Sequence, residues 1–225
     1  MRKQIEILII FNFLFAFSVL GQGENKFVGL SFGTAIPKTD LEPEYSQPGF
    51  QISAFMHFNK NRWLNVGFWI SGGEIQAENR QVRFFDQSEF KINDFARTTY
   101  QSIHIEPSIH FIKKSNYSIY LSQGFGFSRF TVFDENNFDL ANQLDSRSQG
   151  EEYANFSLIL PTTLNAYYFL ENGFGFQLRT GFINPQTDYL DNISAFGNPD
   201  NNDNIFILQL SILKQLNFKI SKNED

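Results

Sequence analysis

The chain has 225 residues, with 24 acidic against 18 basic side chains for a formal net charge of −6, no cysteine, and 28 Phe among its 17% aromatic residues. The acidic balance argues against a nucleic-acid partner, and the lack of cysteine excludes disulfides, thiolate metal sites and a lipidated-cysteine anchor. A sequence so rich in Phe whose mean hydropathy is still slightly negative must interleave apolar and polar residues closely.

Residues 1–6 are polar and carry Arg2 and Lys3, residues 7–20 are almost wholly apolar, and Gly21 follows. This run is short for a membrane helix and has the layout of a secretory signal peptide, so residues 1–21 are expected to be a leader and residues 22–225 one domain. From there eight segments alternate with a period of two, the signature of strands with one apolar and one polar face. The first spans 26–36, with Val28, Leu30 and Phe32 against Gly29, Ser31 and Gly33. The second spans 49–59, with Phe50, Ile52, Ala54 and Met56 against Gln51, Ser53, Phe55 and His57; the third spans 62–78, with Leu64, Val66, Phe68 and Ile70 against Asn65, Gly67, Trp69 and Ser71. The fourth and fifth form a hairpin over 98–134. Ile103, Ile105, Pro107, Ile109 and Phe111 oppose His104, Glu106, Ser108 and His110, then Tyr117, Ile119, Leu121, Phe125 and Phe127 oppose Ser118, Tyr120, Ser122, Gly124 and Gly126. The sixth spans 152–169, the seventh 174–184 and the eighth 204–220, where Lys214 interrupts the apolar parity.

The connections around Lys60, Lys113 and Asn172 are short, whereas 37–48, 79–95, 135–151 and 185–203 are long. Strict alternation of short and long is what an up-and-down meander gives when all turns lie at one end. The fold class expected is all-β: an eight-stranded antiparallel up-and-down transmembrane β-barrel. A soluble barrel would bury the Phe-rich parity and expose a face rich in Lys and Glu, but charges within the strands are scarce and collect in the loops. The polar parity is therefore expected to point inward. Aromatic residues near strand ends, among them Trp63, Phe111, Tyr117, Phe133, Tyr168 and Phe182, fit interfacial girdles. An eight-stranded lumen is filled by side chains, which disfavours a diffusion pore.

Within that lumen an interior polar network is expected from His57, His104, Glu106, His110 and Arg179, with Glu106 neutralised by a histidine or by Arg179, because a buried lone carboxylate is costly. His104, Glu106 and Ser108 are also the ingredients of nucleophilic hydrolysis, but residues two apart on a strand do not form a triad. Loops 135–151 and 185–203 are acidic and lack the spacing of a calcium loop, so they are expected to be solvated, and no metal or cofactor is expected. Loop 79–95 differs: Phe84, Phe85 and Phe90 alternate loosely with charges, as in a hairpin that protrudes and offers an aromatic partner contact.

Three stretches carry a resemblance to a family: GQGENKFVGLSFG after the leader, LPTTLNAYYFLENGFGFQLRTGF, and TDYLDNISAFGNPDNNDNIFILQLSILKQL at the end. Together they make the mature chain resemble the small outer-membrane β-barrel proteins of the OmpA/OmpX size class, in the porin-family form common in Bacteroidota. The resemblance implies outer-membrane localisation, outer-membrane lipid as surroundings, and other envelope proteins as partners of the external loops. The expected role is non-enzymatic, structural or surface-interacting. The alternatives are a barrel enzyme that modifies lipid, a hydrolase or acyltransferase, and a component of an envelope secretion or transport complex.

Overall fold

The computed structural model describes residues 26–41, 48–58, 63–79, 93–143, 154–193 and 202–216. It holds ten strand segments: β1 (Lys26–Lys38), β2 (Gly49–Phe58), β3 (Leu64–Glu78), β4 (Phe95–Lys113), β5 (Tyr117–Gln123), β6 (Phe125–Phe133), β7 (Phe156–Ile159), β8 (Thr162–Phe169), β9 (Phe174–Phe182) and β10 (Asn204–Leu216). Every pairing is antiparallel and β3 pairs β4 while β1 pairs β10, so the sheet closes on itself. β5 with β6, and β7 with β8, are two long strands each broken once, which leaves a ring of eight strands.

The breaks have a local cause and face each other. At Gly124 an added Cβ would lie 2.8 Å from the Glu106 side chain and 2.9 Å from the Ile105 carbonyl, so only glycine fits. Opposite it Pro161 has no N–H to give to a ladder. The Gly124 N–H instead donates to the Pro161 carbonyl at 2.7 Å, and outward Gln123 donates to the Leu160 and Pro161 carbonyls while accepting from the Thr162 hydroxyl. The freed backbone groups are thus satisfied by a neighbouring side chain.

The stagger of the ring follows from the register. From Thr34 on β1 the pairs run through Phe50 and Glu74 to Thr99 on β4; the other way round they run through Leu208, Thr180, Leu164 and Leu121 to Ile109 on β4. The two arrivals lie ten positions apart on β4. Ten residues of stagger over eight strands tilt the strands by about 40° and leave a lumen that side chains fill.

The outer surface reverses polarity along the strands. Toward the short turns the outward residues are large and apolar, with Leu30 68% and Leu210 55% exposed, while inward Glu106 and Arg179 are 0% exposed. Toward the long loops the pattern turns over: on β3 outward Phe68 and Ile70 give way to Glu74 and Gln76, and inward Ser71 gives way to buried Ile75 and Ala77. β4 does the same, from outward Ile109 and Ile103 to Thr99 and Arg97, with Ala96 inward.

Some expectations need correction. β4 begins at Phe95, earlier than Thr98. The sixth strand begins at Phe156, with residues 152–153 outside the described residues; the eighth is described as far as Leu216, and the expected stretch 217–220 lies outside the described residues. Lys214 does not disturb the register: it pairs with Phe174, lies 4.0 Å from that ring's centroid and donates to the Asn172 carbonyl at 3.2 Å, so it closes the short turn from outside.

Candidate functional site

The lumen is built in three layers. Nearest the short turns is an aromatic layer of Phe27, Phe55, Trp69, Tyr120, Tyr167 and Phe169 with Leu213. Room for these rings comes from small inward neighbours; a Cβ on Gly29 would lie 2.4 Å from Phe55. His57 stacks on Phe27 at 4.8 Å and His110 on Tyr120 at 4.7 Å. Ser118 gives its one proton to the Ile112 carbonyl, so the His110 Nδ1–H donates to Ser118 Oγ and Nε2 accepts from the Asn65 amide.

The middle layer is polar and centred on Glu106. Its Oε1 accepts from Arg179 Nη2 and lies 3.0 Å from His104 Nε2; its Oε2 accepts from Ser122 Oγ at 2.9 Å. Asn165 donates to Ser122 and Thr163, and Gln177 donates to Asn165. The Arg179 guanidinium lies 3.7 Å over the Trp69 ring, which ties this layer to the aromatic one. Glu106 thus takes both partners the sequence offered, His104 and Arg179. His57 and His110 stand apart from it, in the aromatic layer. Ser108 is buried and its hydroxyl bonds to no side chain, so β4 does not assemble the serine, histidine and carboxylate of a hydrolase at an accessible surface.

The third layer is the one sequence reading missed. The inward apolar strand ends, Ala35, Ile75, Ala77, Ala96, Phe130, Val132, Ile159, Ile183, Ile205 and Ile207, are joined by Leu41, Leu140, Tyr189, Leu190 and Ile193 from three of the long loops. These five loop residues lie over the mouth and cap the polar layer. Asp191 fixes the cap: its Oδ2 accepts from the Leu41 N–H at 3.0 Å and its Oδ1 from the Ile193 N–H at 2.9 Å. Asp203 accepts from the Leu190 N–H at 2.7 Å, and Thr98 donates to the Leu190 carbonyl. Asn192 takes the left-handed turn, at φ 63°, that asparagine tolerates. Loop 185–203 is therefore not simply solvated: Asp191 is 0% and Asp203 3% exposed. The signal was Tyr189, Leu190 and Ile193, three large apolar residues inside an acidic loop.

Burial pushes the Asp191 carboxyl up to about 7, against its two backbone hydrogen bonds, and pushes Asp203 up as well, reinforced by repulsion from Asp191 and Asp188. Asp40, Asp188 and Asp203 each bring one carboxylate oxygen to within 4.8 Å of the others. Among the described residues this is the set able to hold a cation; protonation is the other way to neutralise it. The folded cap keeps a proton that the unfolded loop releases, so its stability is complete below the ordinary carboxylate value of 3.8 and falls as pH rises through about 7. Amide exchange at Leu190 and Ile193, corrected for intrinsic rates, should show protection dropping roughly tenfold or more across that window. Asp191→Asn should flatten the drop.

Phe84, Phe85 and Phe90 lie outside the described residues. The pairing of β3 with β4 continues one step past Glu78 and Phe95, since the Asn79 N–H donates to the Asp94 carbonyl at 2.8 Å.

No family model matches the sequence, and no curated protein does. Among solved structures the chain is similar to the Neisserial surface protein A, with a TM-score of 0.51 at 13% identity over 86% of this chain and 97% of that one. It is also similar to OprG, the outer membrane protein from Pseudomonas aeruginosa (0.47, 9%, covering 87% and 97%), and to Ail, the attachment invasion locus protein of Yersinia pestis (0.43, 12%, covering 87% and 100%). The first likeness shows the fold, that of an outer-membrane β-barrel.

Proposed function

We propose that this chain, released from a leader at residues 1–21, crosses the outer membrane as an eight-stranded barrel and acts without catalysis, as a structural or surface-interaction protein whose long loops face outward. The observation that carries this reading is the polarity reversal along β3 and β4. An outward apolar belt over a buried Glu106–Arg179 pair suits lipid, whereas outward Glu74, Arg97 and Thr99 over Ile75 and Ala77 suit water. Trp63, Phe111, Tyr117 and Tyr168 are exposed at the short-turn end, as an interfacial girdle needs. A lumen filled at three levels argues for contact rather than conduction. Contact is assigned to the loop end, where hairpin 79–95 would present Phe84, Phe85 and Phe90 to another envelope protein.

The test is fractionation with gels of boiled and unboiled samples. The reading expects an outer-membrane band that migrates faster unboiled, and a substitution of Phe84, Phe85 and Phe90 by Ser that keeps this shift but loses a co-purifying envelope protein. A soluble periplasmic protein without the shift would refute the barrel reading. An unchanged set of co-purifying proteins would refute the role of the hairpin.

A further inference from the structure

Gly72 on β3, Gln101 on β4 and Arg129 on β6 are register neighbours on the outer face. Two depressions meet at these three residues. One, of about 940 Å³, runs toward the short turns between Leu30, Ile52, Ile70, Ile103 and Phe127. The other, of about 350 Å³, runs toward the loops past Thr99 and Thr131 and over the Gly72-Gly73 backbone. An apolar trough thus ends in a polar head, with Arg129 at the junction.

We propose that this groove binds a membrane lipid with an anionic phosphate headgroup, its acyl chain along the trough and its phosphate on Arg129. The proposal rests on the outer-membrane reading above and names a ligand for one face of that barrel.

Depth is the first argument. Phe111 in the short-turn girdle and Gln101 share the outward parity of β4, ten residues apart; at strand rise and a tilt of about 40° they differ in height by about 25 Å. The apolar belt of such a barrel is about that tall, so the Gln101–Arg129 row lies where headgroups begin.

Charge is the second. Arg129 is exposed, and no acid among the described residues forms an ion pair with it. Glu74, the outward acid nearest in register, pairs with Thr99, which in turn pairs with Thr131, so it stands two strands and one step away. A guanidinium at this height matches a phosphate in charge and in its forked donor geometry. Arg97, higher on the same face, stacks over Phe133 and adds to the positive field.

Shape is the third. A Cβ on Gly72 would touch only the Tyr100 carbonyl at 3.6 Å and Gln101 Cγ at 3.9 Å, ordinary contacts, and its φ is not left-handed. On Gly126, by contrast, a Cβ would lie 2.2 Å from the Ile103 carbonyl. The barrel needs the second glycine and does not need the first, so Gly72 keeps the trough open without serving the fold.

Native mass spectrometry tests this on the mature protein released from bilayers of equal phosphatidylcholine and phosphatidylglycerol. Wild type should retain one phosphatidylglycerol in preference to phosphatidylcholine. Arg129→Gln should reduce that preference about tenfold, the effect of losing a charge-assisted pair, and Arg129→Lys should keep part of it. Gly72→Leu should lower retention of both lipids by filling the trough. Each variant is first checked for the unboiled gel shift, which none of these outward changes should alter. A wild type without the shift overturns the membrane reading itself. A shifted wild type that retains the two lipids equally, or an Arg129→Gln protein with its preference intact, means non-selective lipid contact only and overturns the site.

Discussion

Arg179→Met is expected to destabilise the barrel by about 3–5 kcal/mol, the usual cost of removing one partner from a buried ion pair. Glu106 would stay in the middle of the lumen with His104 at 3.0 Å and Ser122 at 2.9 Å as its remaining close partners, and Trp69 would lose the guanidinium over its ring. The double variant Glu106→Gln, Arg179→Met removes both charges and should recover most of that loss, because the pair's own attraction is largely offset by its desolvation. The measurement is the urea midpoint in lipid bilayers, followed by the conversion of the fast unboiled band to the slow one. If the single variant matched wild type, Arg179 would not be what neutralises Glu106. If the double variant fell further than the single, the pair would contribute net stability and would not merely satisfy itself.

How far the sequence disclosed this arrangement depends on the scale of the pattern. Side-chain parity is a nearest-neighbour property, and β4 shows how much it fixes: once Ile103, Ile105 and Ile109 face out, His104, Glu106 and His110 must face in. Which interior residues meet is a matter of register between strands far apart in the chain. Glu106 and Arg179 are 73 residues apart, and their contact depends on the stagger of the whole ring. Sequence reading could put both in the lumen and infer from the cost of burial that Glu106 needs a counter-charge. It could not separate the His104 layer from the layer of His57 and His110.

The loop cap was hidden for a different reason. Loop 185–203 has no periodicity, and its Asp and Asn residues read as solvated. Two of these acids instead accept from backbone N–H groups, Asp191 from Ile193 in its own loop and from Leu41 in loop 37–48, and Asp203 from Leu190, while Leu190 and Ile193 fill the mouth. A second clue lay in the strands. Apolar residues on β3 change parity from Phe68 and Ile70 to Ile75 and Ala77 across Gly72-Gly73, and on β10 from Ile205 and Ile207 to Leu208, Leu210 and Ile212. A parity change without a change of register means that the surroundings of the strand change, and the inward apolar ends then need something to cover them.

That change of surroundings gives the second large effect, a depth profile along β4. Arginine placed at outward Ile109, Ile105, Ile103 and Thr99 samples one face of one strand from the short turns toward the loops. In a bilayer the cost should reach about 2–4 kcal/mol near the middle of the belt, at Ile105, and fall to about 0–1 kcal/mol at Thr99. In water all four positions would lie within about 0.5 kcal/mol of wild type, because exposed substitutions on a soluble sheet do little. Urea midpoints of the four variants in bilayers, set beside the parent, separate the two cases. The position where the cost vanishes also marks the upper edge of the belt. An edge between Ile103 and Thr99 puts the Gln101–Arg129 row at headgroup level, as the phosphate site requires. An edge nearer the loops than Thr99 would sink Arg129 into hydrocarbon, where an exposed guanidinium would have to reach upward past Thr131 instead of holding a lipid in the trough.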